Sequence, residues 1–162
     1  MSDRPFNKQA YKELDHPAKI KLVELIENLS GYKLDCDLEV EMFKKGDVRF
    51  RKGEKTVLFE NEVRDNFDKI VQDYGTVHIP IRKQNTPADF YVVWRNDFSQ
   101  FILIWKKTLD KYKNNIARDV LCSHEKNQDG PYVEDFIDIP KNETQWYAIG
   151  QNFKLHKLSY DR

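Results

Sequence analysis

Asp47, Glu60 and Glu62 are the residues of this chain whose types and spacing invite chemistry. They belong to the stretch DVRFRKGEKTVLFENEVR, Asp47 to Arg64, which reads as a strand, a tight turn and a second strand. Glu60, Glu62 and Arg64 alternate along the second strand, so they share a face with about 7 Å between successive side chains. Whether Asp47 joins them depends on the loop. Four loop residues, 52–55, set Asp47 opposite Glu60. A two-residue loop at Lys52-Gly53 sets it opposite Leu58, with Glu60 diagonal on the same face; a three-residue loop separates the acids onto opposite faces. On one face the carboxylates stand roughly 5–8 Å apart, where like charges repel and partial burial aggravates the conflict. A divalent cation removes it. Mg²⁺ or Mn²⁺ takes carboxylate oxygens, keeps several waters and bridges to phosphates, and it can activate a water and neutralise a phosphodiester. The plainer alternative is a solvated hairpin face whose acids are neutralised by Arg49, Arg51 and Lys55.

A second group lies in TVHIPIRK, residues 76–83. Pro80 cannot donate to a ladder, so this reads as an edge strand. His78, Pro80 and Arg82 share one face of it, with Lys83 at the end. Arg82 and Lys83 could contact phosphate and add salt-dependent affinity, although edge strands also carry such charges to block pairing. His78 reads first as a hydrogen-bonded sheet histidine, with a catalytic or nucleic-acid-binding role beside Arg82 and Lys83 as the alternative. In KKTLDKYKNN, Lys106 and Lys107 could track a DNA backbone, or line a solvated helix face. Phe90, Tyr91, Trp94 and Trp105 read as core rather than as a stacking platform. No Gly-rich phosphate loop occurs among the six glycines. His16, His78, His124 and His156 have no zinc spacing. Cys36 and Cys122 form no Cys-x-x-Cys pair.

Several elements must position these groups. DHPAKIKLVELIENLSG is the first helix, with Asp15 as cap, Pro17 in its first turn and Gly31 as its stop. Ile20, Leu22, Val23, Ile26 and Leu29 form its apolar face. YKLDCDLEVEMF alternates and predicts a strand before the hairpin. Residues 65–75 predict a short helix or loop. ADFYVVW and QFILIW flank the turn residues Arg95-Asn96-Asp97 and predict central strands. KKTLDKYKNNIARDVL predicts a basic helix, residues 127–131 a loop, and VEDFIDIP and TQWYAI short terminal strands. The order implies an α/β or α+β domain with a central mixed sheet flanked by helices.

The 162 residues suit one domain, residues 1–162, large enough to fold without a disulfide or metal. Aromatic residues make up 13%, which excludes a disordered chain. The 27 basic residues balance 27 acidic ones, which argues against coating nucleic acid by bulk charge but leaves room for a local basic groove. No apolar leader opens the chain, and runs such as FILIW are too short to cross a bilayer. A soluble, cytoplasmic protein with no membrane partner is the expectation.

Asp47, then twelve intervening residues, then Glu60-Asn61-Glu62 at the end of an apolar strand, resembles the signature of the PD-(D/E)XK nuclease superfamily. The preceding helix and strand are similar to the start of that superfamily's core, and the resemblance covers roughly residues 15–64. The stretch Glu-x-Glu-x-Arg with His-Ile-Pro-x-Arg-Lys is similar to small phage- or virus-type members. The resemblance implies a restriction-endonuclease-like core of a helix, a three-strand antiparallel meander, further strands and a helix. It implies an endonuclease that hydrolyses DNA with Mg²⁺ or Mn²⁺ held by Asp47, Glu60 and Glu62, and it allows a homodimer. Glu62 stands where the signature has Lys, so Arg64, Lys83, or Lys19 or Lys21 of the first helix would have to supply the missing cation. Otherwise the fold is a catalytically degenerate module that binds nucleic acid or a protein partner. The plainest reading is a structural domain with solvent-facing acids.

Overall fold

The computed structural model describes residues 16–38, 48–72, 75–122 and 132–159. Helix α1 (His16–Ser30) carries Pro17 in its first turn and ends at Gly31, whose φ of +75° is the left-handed conformation a helix stop uses. Ala18, Leu22 and Leu25, spaced i, i+4, i+7, form its buried stripe, with Val23 and Ile26 packed beside it. The expected face was too wide: Ile20 is 41% exposed and Leu29 48%. Ile20 lies about 200° around the helix from Ala18, and Leu29 sits in the last turn. Asp15, the expected cap, lies outside the described residues.

Of the strand expected over 32–43, the described residues form only Lys33–Leu34 (β1). Beyond it the Asp35 carboxylate turns to Arg51, 3.0 Å away, and Arg49; residues 39–47 lie outside the described residues. The hairpin follows as β2 (Val48–Lys52) and β3 (Lys55–Arg64). Its loop is the two residues Gly53-Glu54, with Gly53 at φ +63°, the positive first position that two-residue hairpin turns favour. The loop is even in length, and Arg51 faces Thr56 as the longer even loop required. The ladder runs one pair further than expected, to Lys52↔Lys55.

β3 pairs in parallel with β5 (Phe90–Arg95), and a parallel pair needs a long crossover. That crossover carries α2 (Phe67–Gln72), β4 (Thr76–Pro80) and a single 3₁₀ turn, Ile81–Lys83. β5 and β6 (Gln100–Trp105) form the expected central hairpin. Helix α3 covers Lys106–Tyr112, less than half of the predicted basic helix. The remainder, Ile116–Cys122, is strand β7. Asn115 marks the change: its carbonyl accepts the Asp138 amide and its side-chain Nδ2 donates to the Asp138 carbonyl, which starts pairing with β8 (Tyr132–Pro140). Long-range pairing overrides the local helical pattern there. β9 (Gln145–Ile149) was expected, whereas β10 (Leu155–Leu158) was not.

Among the described residues the strands form two sheets. The larger is mixed, in the order β1-β2-β3-β5-β6-β9-β10, and the smaller runs β4-β8-β7. The chain is thus α+β, with a mixed central sheet and helices. β4 is an edge strand, as Pro80 requires, but of the second sheet. α1 covers one face of the main sheet, over Val48, Phe50, Phe59, Val92, Trp94 and Phe101. The small sheet, α2 and α3 cover the other, where Val77, Ile79, Ile137 and Ile139 meet Tyr91, Val93, Ile102 and Ile104. On the α1 side, aromatic rings cross four strands in succession: Phe50 to Phe59 at 5.5 Å, Phe59 to Phe90 at 5.1 Å, Phe90 to Trp105 at 5.0 Å. No helix among the described residues is long and apolar enough to cross a membrane.

Ile102 is fully buried between the two sheets. Ile102→Ala should lower unfolding free energy by about 2–5 kcal/mol, read as an earlier urea midpoint with an unchanged slope.

Candidate functional site

The face of β3 that carries Glu60, Glu62 and Arg64 is the one covered by the small sheet, since their parallel partners are Tyr91, Val93 and Arg95. The acids are therefore not a solvated hairpin face. Glu60 is only 2% exposed. A carboxylate cannot stay charged there without partners, and Glu60 has them: Lys83 Nζ donates to Oε2 at 2.8 Å and Thr86 Oγ1 to Oε1 at 3.0 Å. Both donors come from the end of the crossover. Arg49 and Arg51, the neutralising groups expected from within the hairpin, turn instead to Asp35.

Glu62 accepts a hydrogen bond from Arg64 Nη2 at 2.6 Å. The same Nη2 donates to the carbonyl of His78, which ties β3 to β4 across the gap between sheets. Arg64 is thus committed to two partners. Arg82 lies in the 3₁₀ turn after β4 and not on the strand face expected for it, because the chain leaves extended geometry at Ile81. Its guanidinium pairs with Glu134 of β8. Burial works against the Arg82 charge, but Glu134, Tyr91 and Glu62 outweigh it and hold its pKa above the ordinary value. Tyr91, beside Glu60 in the parallel register and 3% exposed, has its hydroxyl pushed well above the tyrosine range by burial and then by Glu62. Asn61, between the two acids, points to the α1 side and accepts from the Trp94 indole at 2.6 Å.

The structure therefore brings Glu60, Glu62, Arg64, Arg82 and Lys83 into one polar seam. His78 joins through its carbonyl, which accepts from Arg64. Its ring alternates away from the buried Val77 and Ile79 and meets Asp138 at 2.6 Å, with Phe136 stacked at 5.5 Å. Lys106 and Lys107 are exposed at the start of α3 and do not enter the seam. Lys19 and Lys21 belong to α1, on the opposite face of the sheet; Lys21 stands 5.3 Å from the Phe153 ring. Asp47 lies outside the described residues. Among the described residues, no group of three or more His, Cys, Asp or Glu is arranged to hold a metal ion.

Sequence reasoning missed Thr86, Glu134, Asp138 and the place of Tyr91. A signal existed for the two acids. In VEDFIDIP, Glu134 and Asp138 alternate with Ile137 and Ile139, which sets the two acids on the strand face opposite that apolar pair. No model of a known protein family matches the sequence, and no curated protein matches it.

Two outcomes follow from this electrostatic arrangement. Lys83→Ala leaves the Glu60 charge buried with a hydroxyl but without its cation, and should cost about 2–4 kcal/mol in chemical denaturation, short of a fully buried pair because Lys83 is partly exposed. Burial, aided by Arg64, lowers the His78 pKa below 6.5; Asp138 opposes this and is outweighed. A lowered histidine means the unfolded chain binds more protons, so this contribution is whole above pH 6.5 and lost as pH falls below it. Thermal unfolding from pH 7.5 to 5 should therefore show a smaller loss of stability in His78→Gln than in the parent chain.

Proposed function

We propose that the chain is a metal-dependent endonuclease acting on DNA phosphodiesters, with the restriction-endonuclease-like core that the Asp47…Glu60-x-Glu62 signature implies. One observation carries the reading: Lys83 Nζ stands 2.8 Å from Glu60 Oε2. The signature needs a cation beside its glutamate, and Glu62 occupies the position where Lys is usual. Lys83 supplies that charge from the crossover instead of from the strand.

The donor chemistry suits a hard cation in type. Glu60 and Glu62 present carboxylates from one strand face, and Asp47 would be the third ligand. When bound, Mg²⁺ or Mn²⁺ would neutralise the phosphodiester and acidify a water. The protein's own groups have separable tasks. Thr86 and Lys83 hold the Glu60 carboxylate in one orientation. Lys83 can stabilise negative charge developing on phosphate oxygens, as a preorganised donor in a low-dielectric seam. Arg64 orients Glu62 and anchors β3 to β4. Arg82, locked to Glu134, sets the wall beside Tyr91 and Glu62.

A second reading has its own support. Each acid of the seam already has a fixed cation: Glu60 has Lys83, Glu62 has Arg64, and Glu134 has Arg82. A site neutralised in this way suits a degenerate module that binds nucleic acid or a protein partner without cleaving it.

The readings separate experimentally. Asp47→Asn and Glu60→Gln, folded and assayed with Mg²⁺ on plasmid and branched DNA, should lose several kcal/mol of transition-state stabilisation, roughly 10²–10³-fold in rate. Full cleavage by both would eliminate the catalytic assignment. Calorimetry with Mn²⁺ should show binding at millimolar affinity or tighter; no heat at that concentration favours the degenerate module.

A further inference from the structure

Trp105 is the one tryptophan with a large open surface: it is 40% exposed, against 0% for Trp94 and 3% for Trp146. It closes β6, and its cross-strand partner Phe90 opens β5. Phe59, Phe90 and Trp105 therefore make up one row of the main sheet, and Glu60, Tyr91 and Ile104 make up the next. Successive rows are separated by about 3.3 Å, and Trp105 lies two strands, about 10 Å, across from β3. The segment that brings Lys83 and Thr86 to Glu60 continues straight to this end of the sheet. Asp89 donates its amide to the carbonyl of Leu58 of β3, accepts the Leu58 amide on its carboxylate, and accepts the amide of Lys106 on its own carbonyl. Successive rows point to opposite faces, so the indole lies on the α1 face and the polar seam on the other, at the same end of β5 and β6.

The surroundings of the indole are those of a nucleobase platform. Phe90 packs against it at 5.0 Å with a 68° interplanar angle, which fixes its orientation. Lys107 Nζ lies 5.3 Å from its centroid. Lys106 and Lys107 are both exposed, so Lys107 is free to swing from the ring to a phosphate oxygen as a base takes the ring face. A core role does not account for an aromatic this open beside two lysines. A duplex keeps its bases stacked on each other, whereas an unpaired base can stack on a protein ring.

We infer that Trp105, with Lys106 and Lys107, forms a stacking subsite for an unpaired nucleobase of single-stranded DNA, reached around the end of the sheet from the Glu60–Lys83 seam. The inference rests on the nucleic-acid reading above and narrows it to substrates with an unpaired strand. It assigns Lys106 and Lys107 to the flank of the indole.

The test is a fluorescence titration with a twelve-residue oligothymidylate at low salt in EDTA, where nothing is cut. Trp94 and Trp146 are shielded, so quenching reports Trp105. Saturable quenching is expected, with weaker binding of a duplex of equal length. Trp105→Ala should weaken binding of the single strand about tenfold by anisotropy of a labelled oligonucleotide. Trp105→Phe keeps a stacking ring, so it should bind within about threefold of the parent while the quench disappears, which guards against a misfolded alanine variant. Equal affinity for single strand and duplex, or unchanged binding by a folded Trp105→Ala, overturns the inference. Lost quenching with cleavage intact sinks the stacking subsite alone. Absent cleavage with quenching intact sinks the nuclease reading and leaves the subsite standing.

Discussion

A carboxylate at the centre of the protein sets the terms for everything around it. Glu60 sits between two sheets with almost no access to water. Desolvating such a charge costs several kcal/mol unless cations and donors surround it. Its compensation comes from Lys83 and Thr86, which lie more than twenty residues further along the chain. The crossover from β3 to β5 must therefore return along one particular path. β4 places the 3₁₀ turn, the turn places Lys83, and the next few residues place Thr86 before β5 begins. Small shifts in that path would separate a buried charge from its partner, so the contact selects one docking of the small sheet over its near alternatives.

The same logic extends along the seam as a series of charge pairs. Glu62 pairs with Arg64 two residues along β3, Arg64 also reaches the His78 carbonyl of β4 in the other sheet, and Glu134 of β8 pairs with Arg82 just after β4. Around them the interface is aliphatic and non-directional, and would tolerate sliding. The paired charges are directional. They add little net stability in their own right, but they make misdocked arrangements costly, and they concentrate ionisable groups where an anionic ligand would meet both signs of charge. Tyr91, with its hydroxyl held neutral by burial, adds a polar group to this seam without adding charge.

Much of this was legible from local pattern. Pro17 and Gly31 framed the first helix, and the two-residue period of β3 put Glu60, Glu62 and Arg64 on one face. Pro80 marked an edge strand. What escaped were facts of long-range pairing. Nothing local says that β4 leaves the main sheet to join β8. Residues 106–122 have one continuous polar-apolar texture, yet split at Asn115 because β8 captures the second half. Arg82 left its expected face when three residues of 3₁₀ geometry replaced the strand period. The solvated reading of the acids failed for the same reason: the covering sheet is assembled from residues distant in sequence, so its presence over β3 leaves no mark on the hairpin itself.

The two sheets are threaded through one another. β4 interrupts the larger sheet between β3 and β5, and β7 with β8 interrupts it again between β6 and β9. Neither sheet corresponds to a contiguous stretch of polypeptide. During synthesis, β4 emerges long before β8, its only ladder partner among the described residues, and must wait with an open edge until some fifty further residues have left the ribosome. Such high contact order makes for slow folding. It also means that no N-terminal fragment can mature piecemeal: the architecture closes only once nearly the whole chain is present.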